Sequence, residues 1–248
     1  IGAAANYVYD YYSLKHALKN NFDIIYEAGY ASTSFFYLTL PIYKSVIVTN
    51  MDGLEWKRAK WNFIIKWLTR IAERIAVRKS HYIISDNIGI QEYYSNQFEK
   101  KSIYLPYGAT LVDSFRLDDL KAYNLRPDNY LLIIARLEPE NNIELMIKAY
   151  INSGVPEQLI IIGNCDKKFG AIMRKKYQSK VRFLGGIYDK NKLDSLRRYA
   201  KAYLHGHSVG GTNPSLLEAM ASSCYIIAHG NSFNRAVLNN DALYFIDT

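Results

Sequence analysis

The segment GGTNPSLLEAMA, residues 210–221, gathers residue types with chemical reach at close spacing. Gly210 and Gly211 carry no side chain, so a ligand can come close to the backbone there. Thr212 and Asn213 follow. Asn213 is a good N-cap and Pro214 suits a first helical position, which predicts a helix start. Free amides and the positive end of the helix dipole attract phosphate at such a start. Glu218 lies just over one turn inside, and helical side chains lean back toward the N-terminus. Its carboxylate can therefore accept hydrogen bonds from sugar hydroxyls. An ordinary capped helix with a solvated Glu carries the same pattern, and the residue types alone do not separate the two readings.

Two further places offer polar chemistry. Arg136 directly follows the apolar run YLLIIA, residues 130–135. A guanidinium at a strand's carboxyl end can fork onto phosphate oxygens and stays charged at any working pH. A salt bridge to Glu138 or Glu140 is the plain alternative. The stretch VTNMDGLEWKRAKW, residues 48–61, also follows a strand-like run. Asp52 and Gly53 mark a turn where an open sheet collects its functional groups, although Asp52 can equally cap that turn through its own backbone. Glu55 and Trp56 suit a ligand pocket or a helix start with a core aromatic.

The elements that must position these residues show a strand–helix rhythm. Strands are predicted at 130–135, 159–163, 181–184, 202–205 and 225–229, with helices at 142–152, 167–178, 189–200 and 213–222. Short continuous apolar strands alternating with helices of this length indicate a parallel sheet covered on both faces, with ligands at the strands' carboxyl ends. The first half repeats the theme with strands at 22–26, 44–49, 82–85 and 102–105, after a helix-like start. Its best-patterned helix runs from about Lys60 to Val77. Trp61, Ile64, Ile65, Leu68, Ile71, Ala72 and Ile75 fall on one face at helical spacing, and Lys66, Arg70, Arg74 and Arg78 on the other. That stripe reads as a solvated face or as a membrane-surface contact. Turns at Pro106–Gly108 and Arg126–Asn129 place a boundary, giving a first αβ domain over 1–110, a linker over 111–129 and a second αβ domain over 130–248.

The bulk numbers narrow the class. With 49% hydrophobic and 22% charged residues, the 248-residue chain is of ordinary globular composition. No apolar run is long enough to span a bilayer, and IGAAANYVYDYY lacks the basic start of a signal peptide. Cys165 and Cys224 lie far apart with no CxxC spacing, and the five His do not converge with acids, so no metal site is expected. No Asp-x-Asp triplet occurs, which removes the usual metal-held diphosphate site. The net charge of +8 fits an anionic partner. Nucleic acid ranks last among such partners, since no recognition motif or aromatic-interleaved basic strand is present.

Four stretches together carry a resemblance: IIARLEPENNIELMIKAY (133–150), LIIIGNCD (159–166), VRFLGGIYDKNKL (181–193) and GGTNPSLLEAMA. They resemble the donor-binding domain of the retaining GT-B glycosyltransferases of family 4, and residues 48–61 and 207–220 resemble its rhamnosyltransferase-type subgroup. The resemblance covers nearly the whole chain. It implies an α/β fold with two Rossmann-like parallel-sheet domains, the N-terminal one incomplete, and with the family's opening strand and closing helices outside this sequence. It also implies that Glu218 binds the nucleotide ribose and that Arg136, Asn141, Gly210, Gly211, Thr212 and Asn213 meet the donor. Asn50, Asp52 and Glu55 would lie on the acceptor side, with Asp52 facing the reacting sugar carbon or acceptor hydroxyl. Two departures stand out. The family's first signature Glu falls at Gly210, and its second phosphate-binding cation, a Lys, falls at Asn141.

The expected activity is metal-independent, retaining transfer of a sugar from a nucleotide diphosphate sugar, without a cofactor. Rhamnose and a hexose are the candidate sugars. The expected acceptor is a cell-surface glycan, such as capsule or O-antigen, in lipid-linked form. That places the protein in the cytoplasm of a bacterium, at the inner membrane face, with the basic stripe and Trp56, Trp61 and Trp67 touching anionic lipid. The alternatives are a non-catalytic sugar-nucleotide-binding subunit, which the two lost family residues favour, and a sugar-nucleotide epimerase of the same architecture.

Overall fold

The computed structural model describes residues 3–51, 53–59 and 61–246. They divide into two compact units, Ile1–Pro106 with Val209–Thr212, and Tyr107–Ser208 with Asn213–Thr248.

The first unit contains α1 (Ala3–Lys19), β1 (Ile24–Glu27), β2 (Val46–Asn50), α2 (Phe63–Lys79), β3 (Tyr82–Ser85), α3 (Ile88–Phe98) and β4 (Ile103–Tyr104). Its four strands pair in parallel in the order β1-β2-β3-β4. Leu14 and Leu18 of α1 pack with Ile25, Tyr37 and Ile47 to form a core on this sheet. Asn62 and Asn87 cap α2 and α3 by accepting from the Ile65 and Gly89 amides at 2.9 and 2.8 Å.

α2 departs from its sequence pattern. The residues it buries are Thr69, Ala72, Glu73, Ala76 and Val77. On the face expected to point inward, Ile64 is 64% exposed, and its neighbours Phe63 and Trp67 are 82% and 56% exposed. The cause is Glu73, which accepts from the Tyr94 and Tyr93 hydroxyls at 3.1 and 3.2 Å and from the Trp56 indole at 3.4 Å. A buried carboxylate must be hydrogen-bonded. With that carboxylate satisfied inside, Ala72 and Ala76 are fully buried, Ile75 packs against the core only in part, and Ile64 is left outside. Burial holds the Glu73 carboxyl above its ordinary range, against the pull of the Tyr94, Trp56 and Tyr93 hydrogen bonds and of Arg70.

The second unit contains α4 (Asp118–Lys121), β5 (Tyr130–Ile134), α5 (Ile143–Ser153), β6 (Gln158–Ile162), α6 (Lys168–Tyr177), β7 (Arg182–Gly185), α7 (Lys190–Arg198), β8 (Ala202–His205), α8 (Pro214–Ala221), β9 (Ile226–His229), α9 (Ser232–Leu238) and β10 (Leu243–Phe245). Its six-stranded parallel sheet runs β10-β9-β8-β5-β6-β7. The order reverses between β5 and β8, the kind of switch point outside which open α/β sheets bind ligands. Two apolar layers fill the unit. One is built on Leu132, Ile160, Leu196, Tyr203, Leu216 and Ala228. The other is built on Ile133, Ile143, Ile147, Leu159, Ile161 and Met173.

Residues 111–129, expected as a linker, pack on this unit. Leu120 and Leu125 are buried in its core. Ser195 Oγ donates to Asp119 at 2.9 Å and accepts from the Arg116 amide at 3.1 Å. The turns at Pro106–Gly108 and Arg126–Asn129 bound this stretch, and its two buried leucines tie it to the second unit.

Candidate functional site

In the second unit, the carboxyl ends of β5, β6 and β7 and the start of α8 enclose a cavity of about 550 Å³. That volume suits a ligand of nucleotide size. Its polar lining comprises Arg136, Glu138, Asn141, Asn164, Lys167, Arg197, Asn213, Ser215 and Glu218. A similarly large cavity of about 600 Å³ elsewhere in this unit is lined mainly by apolar side chains such as Leu131, Met146, Ile227 and Phe245. Among the described residues its charged lining is Glu157 and Lys201, which pair with each other.

Arg136 follows β5 as the sequence predicts, and its side chain is exposed. Neither Glu138 nor Glu140 takes it: among the described residues Glu138 pairs with Lys167 at 3.8 Å, and no ion pair involves Arg136. The loop is built to hold this position. Gly163 at the end of β6 is required, since a Cβ there would lie 2.2 Å from the Ala135 carbonyl oxygen. Asn141 is buried, donates to the Arg136 carbonyl at 2.7 Å and meets His207 Nδ1 at 2.8 Å. Where the resembled family has a second phosphate cation, this chain has a strut for the Arg136 loop.

Asn213 and Glu218 reach the same cavity from α8. Asn213 caps the helix, its side chain accepting from the Ser215 amide at 2.9 Å. Leu216 and Leu217 donate to the Asn213 carbonyl at 3.0 and 3.3 Å, and Pro214 has no amide to give. The first-turn donors of α8 are thus spent within the protein. Among the side chains that line the cavity, Arg136, Lys167 and Arg197 carry its positive charge.

Gly210, Gly211 and Thr212 do not line this cavity. They belong to the first unit, where the Thr212 amide and hydroxyl donate to the Asp86 carboxylate and carbonyl, each at 2.8 Å. A Cβ on Gly211 would lie 2.2 Å from Asp86 Oδ1, so its missing side chain makes room for a carboxylate of the protein itself. Asp86 lies 125 positions before Gly211, so no local pattern links the two.

The residues expected on the acceptor side are in the first unit. Asn50 ends β2 and is buried. Glu55 pairs with Arg58 at 2.6 Å and lines a cavity of about 250 Å³ with Asp10 and Glu27. Asp52 lies outside the described residues. Glu27, at the carboxyl end of β1, escaped the sequence reading. Burial pushes its carboxyl up to about 7, opposed by a hydrogen bond from Thr33 and reinforced by Asp10.

Arg197 and Lys167 were likewise missed. Arg197 lies in the helix expected over 189–200 with nothing local to single it out, and its partner Glu218 is 21 positions away. The Arg197 side chain is 1% exposed and forks between Asp194 Oδ1, at 3.1 Å, and Glu218 Oε2. Lys167 precedes α6 and could have been found only from the cavity it lines.

Comparison with known proteins follows the same division. Residues 1–110 match a domain of unknown function (DUF1972), and residues 117–247 match the glycosyl transferases group 1 family. No curated protein matches the chain. Among solved structures it is similar to Anabaena Alr3699/HepE in complex with UDP-glucose, at 15% identity and a TM-score of 0.74 over 96% of this chain and 68% of that one. Sucrose-phosphate synthase from Thermosynechococcus elongatus gives 15% identity and 0.73 over 93% and 63%. TarM gives 13% and 0.71 over 94% and 47%. The chain therefore spans between about half and two thirds of the length of these structures. At these identities the likeness shows the fold: two parallel-sheet α/β units of the GT-B glycosyltransferase type. Through the match over more than half its length, the chain belongs to the glycosyl transferases group 1 family.

Proposed function

We propose that the chain is the greater part of a retaining glycosyltransferase that takes its donor, a nucleotide diphosphate sugar, in the cavity of the second unit. The carrying observation is one cavity, at a sheet switch point, that holds an unpaired guanidinium together with a fixed carboxylate. Arg136 binds the diphosphate and Glu218 accepts from the ribose hydroxyls. Lys167 adds the second positive charge that Asn141 does not supply. Arg136 and Lys167 together can stabilise the leaving diphosphate, so no metal ion is required. Alr3699/HepE, of the same fold, is solved with UDP-glucose, which favours a UDP-hexose donor. dTDP-rhamnose remains the second candidate, on the resemblance of residues 48–61 and 207–220. With Gly at 210 the sugar is selected by other groups. Asn50, Asp52 and Glu55 serve the acceptor.

The acceptor is a lipid-linked glycan of bacterial capsule or O-antigen type, met at the inner face of the cell membrane. Phe63, Ile64 and Trp67 are exposed on α2 beside Arg70 and Arg74. That combination suits an anionic bilayer surface, with the aromatic residues inserted and the cations at the headgroups. Among the described residues no helix is long and apolar enough to cross a membrane.

Incubation of the intact protein with labelled UDP-hexoses and dTDP-rhamnose, a membrane extract as acceptor and EDTA throughout tests this reading. Transfer of label to lipid-linked glycan is expected. Binding without transfer would favour a sugar-nucleotide-binding subunit, and a changed free donor would favour an epimerase.

A further inference from the structure

The side chains behind Glu218 form a linked series. Lys190 Nζ donates to Asp194 Oδ2 at 2.5 Å. Asp194 Oδ1 accepts from Arg197 Nη1 at 3.1 Å, and Arg197 Nη2 donates to Glu218 Oε2. The same Nη2 lies 3.5 Å from Ser215 Oγ, which is shared with the Tyr203 hydroxyl at 2.8 Å. Arg197 and Asp194 are buried, whereas Glu218 is 37% exposed and borders two cavities. The two carboxylates balance the two cations, so the series carries no net charge.

A buried Arg–Asp pair needs no third partner to be neutral, and desolvating a guanidinium costs more than a simple helix contact returns. The arrangement gains something only if the position of Glu218 matters. A glutamate one turn into a helix ordinarily samples several rotamers, and fixing it when a ligand arrives costs conformational entropy. The fork of Arg197 holds one carboxylate oxygen in advance, which leaves Glu218 Oε1 to accept from a ligand. Lysine, a point charge without the planar fork that reaches Asp194 and Glu218 together, could do this only in part.

We propose that Arg197 is the positioning residue of the donor site: it orients Glu218 so that the enzyme distinguishes nucleotides by their ribose hydroxyls. The proposal rests on the reading of Glu218 as the ribose-binding group. Arg197 is a wall of the cavity and acts through Glu218.

The test compares binding of UDP and 2′,3′-dideoxy-UDP to the intact protein by calorimetry, since only the first offers ribose hydroxyls. The wild type should prefer UDP by roughly tenfold or more, the size of a hydrogen bond to a charged group. Glu218→Gln should bring the ratio toward one. Arg197→Gln should do the same, and the double variant should fall no further. Arg197→Lys should give an intermediate ratio and replaces Arg197→Gln if that variant does not fold. A merely structural Arg197 would change stability and leave the ratio alone. A wild-type ratio in either Arg197 variant, with the ratio lost in Glu218→Gln, overturns the proposal by itself. A ratio near one in the wild type, or one untouched by Glu218→Gln, overturns the ribose reading and the proposal together.

Discussion

Arg136→Ala is the variant for which structure and function part most cleanly. The side chain is exposed and makes no ion pair among the described residues, so its removal should leave stability within about 0.5 kcal/mol of wild type. The loss should fall on ligand binding. Charged hydrogen bonds are worth about 1.5–3 kcal/mol, and 1.4 kcal/mol is tenfold, so UDP affinity should drop by roughly 10- to 150-fold. Lys167 lines the same cavity but lies 3.8 Å from Glu138, so it replaces only part of the lost charge. Calorimetry with UDP and with uridine separates the terms, because uridine has no phosphate. Loss of UDP affinity with uridine unchanged is expected. A UDP affinity within threefold of wild type, or an equal loss for uridine, would refute the assignment of Arg136 to the diphosphate.

Three other outcomes follow from the geometry. Gly211→Ala drives a Cβ to 2.2 Å from the Asp86 carboxylate, and such overpacking should cost about 1–3 kcal/mol. Thermal melts read it against Gly108→Ala, which meets no atom within 4 Å and should melt like wild type. His205 is held down to about 3 by burial and by His207 and His229. An unfolded chain takes up that proton below about pH 6.5 and the folded one does not, so stability should fall as pH falls, by about 2 kcal/mol at pH 5. Urea titrations of wild type and His205→Gln at pH 7 and pH 5 check this, and the variant should lose less on acidification. Replacing Phe63 and Trp67 by Ser should weaken sedimentation with anionic vesicles several-fold and leave UDP binding unchanged, and equal sedimentation would remove α2 from the membrane contact.

The strands of the second unit were legible because each is a short run of Leu, Ile or Tyr closed by a turn. β10 was not, since LYF among polar residues carries no period of its own. α3 escaped for a related reason: IGIQEYYSNQF buries Tyr94 through a hydrogen bond to Glu73 as much as through apolar contact. The existence of α2 was plain, but its orientation was decided by that same buried glutamate, which a count of apolar positions reads as solvent-facing. Arg136 and Glu218 lie where the pattern puts them, after a strand end and just over one turn into a helix, and both line the one cavity. Arg197 reaches Glu218, Lys167 reaches Glu138 and Asp86 reaches Thr212 across distances in sequence that no local pattern reports.

The most direct test of the donor site is a structure of the intact protein determined with UDP bound. The diphosphate oxygens should lie within hydrogen-bond reach of Arg136, and the ribose hydroxyls should lie against Glu218 with its contact to Arg197 intact. UDP bound elsewhere, or lying in the cavity with its phosphates away from Arg136 and its ribose away from Glu218, would contradict the account.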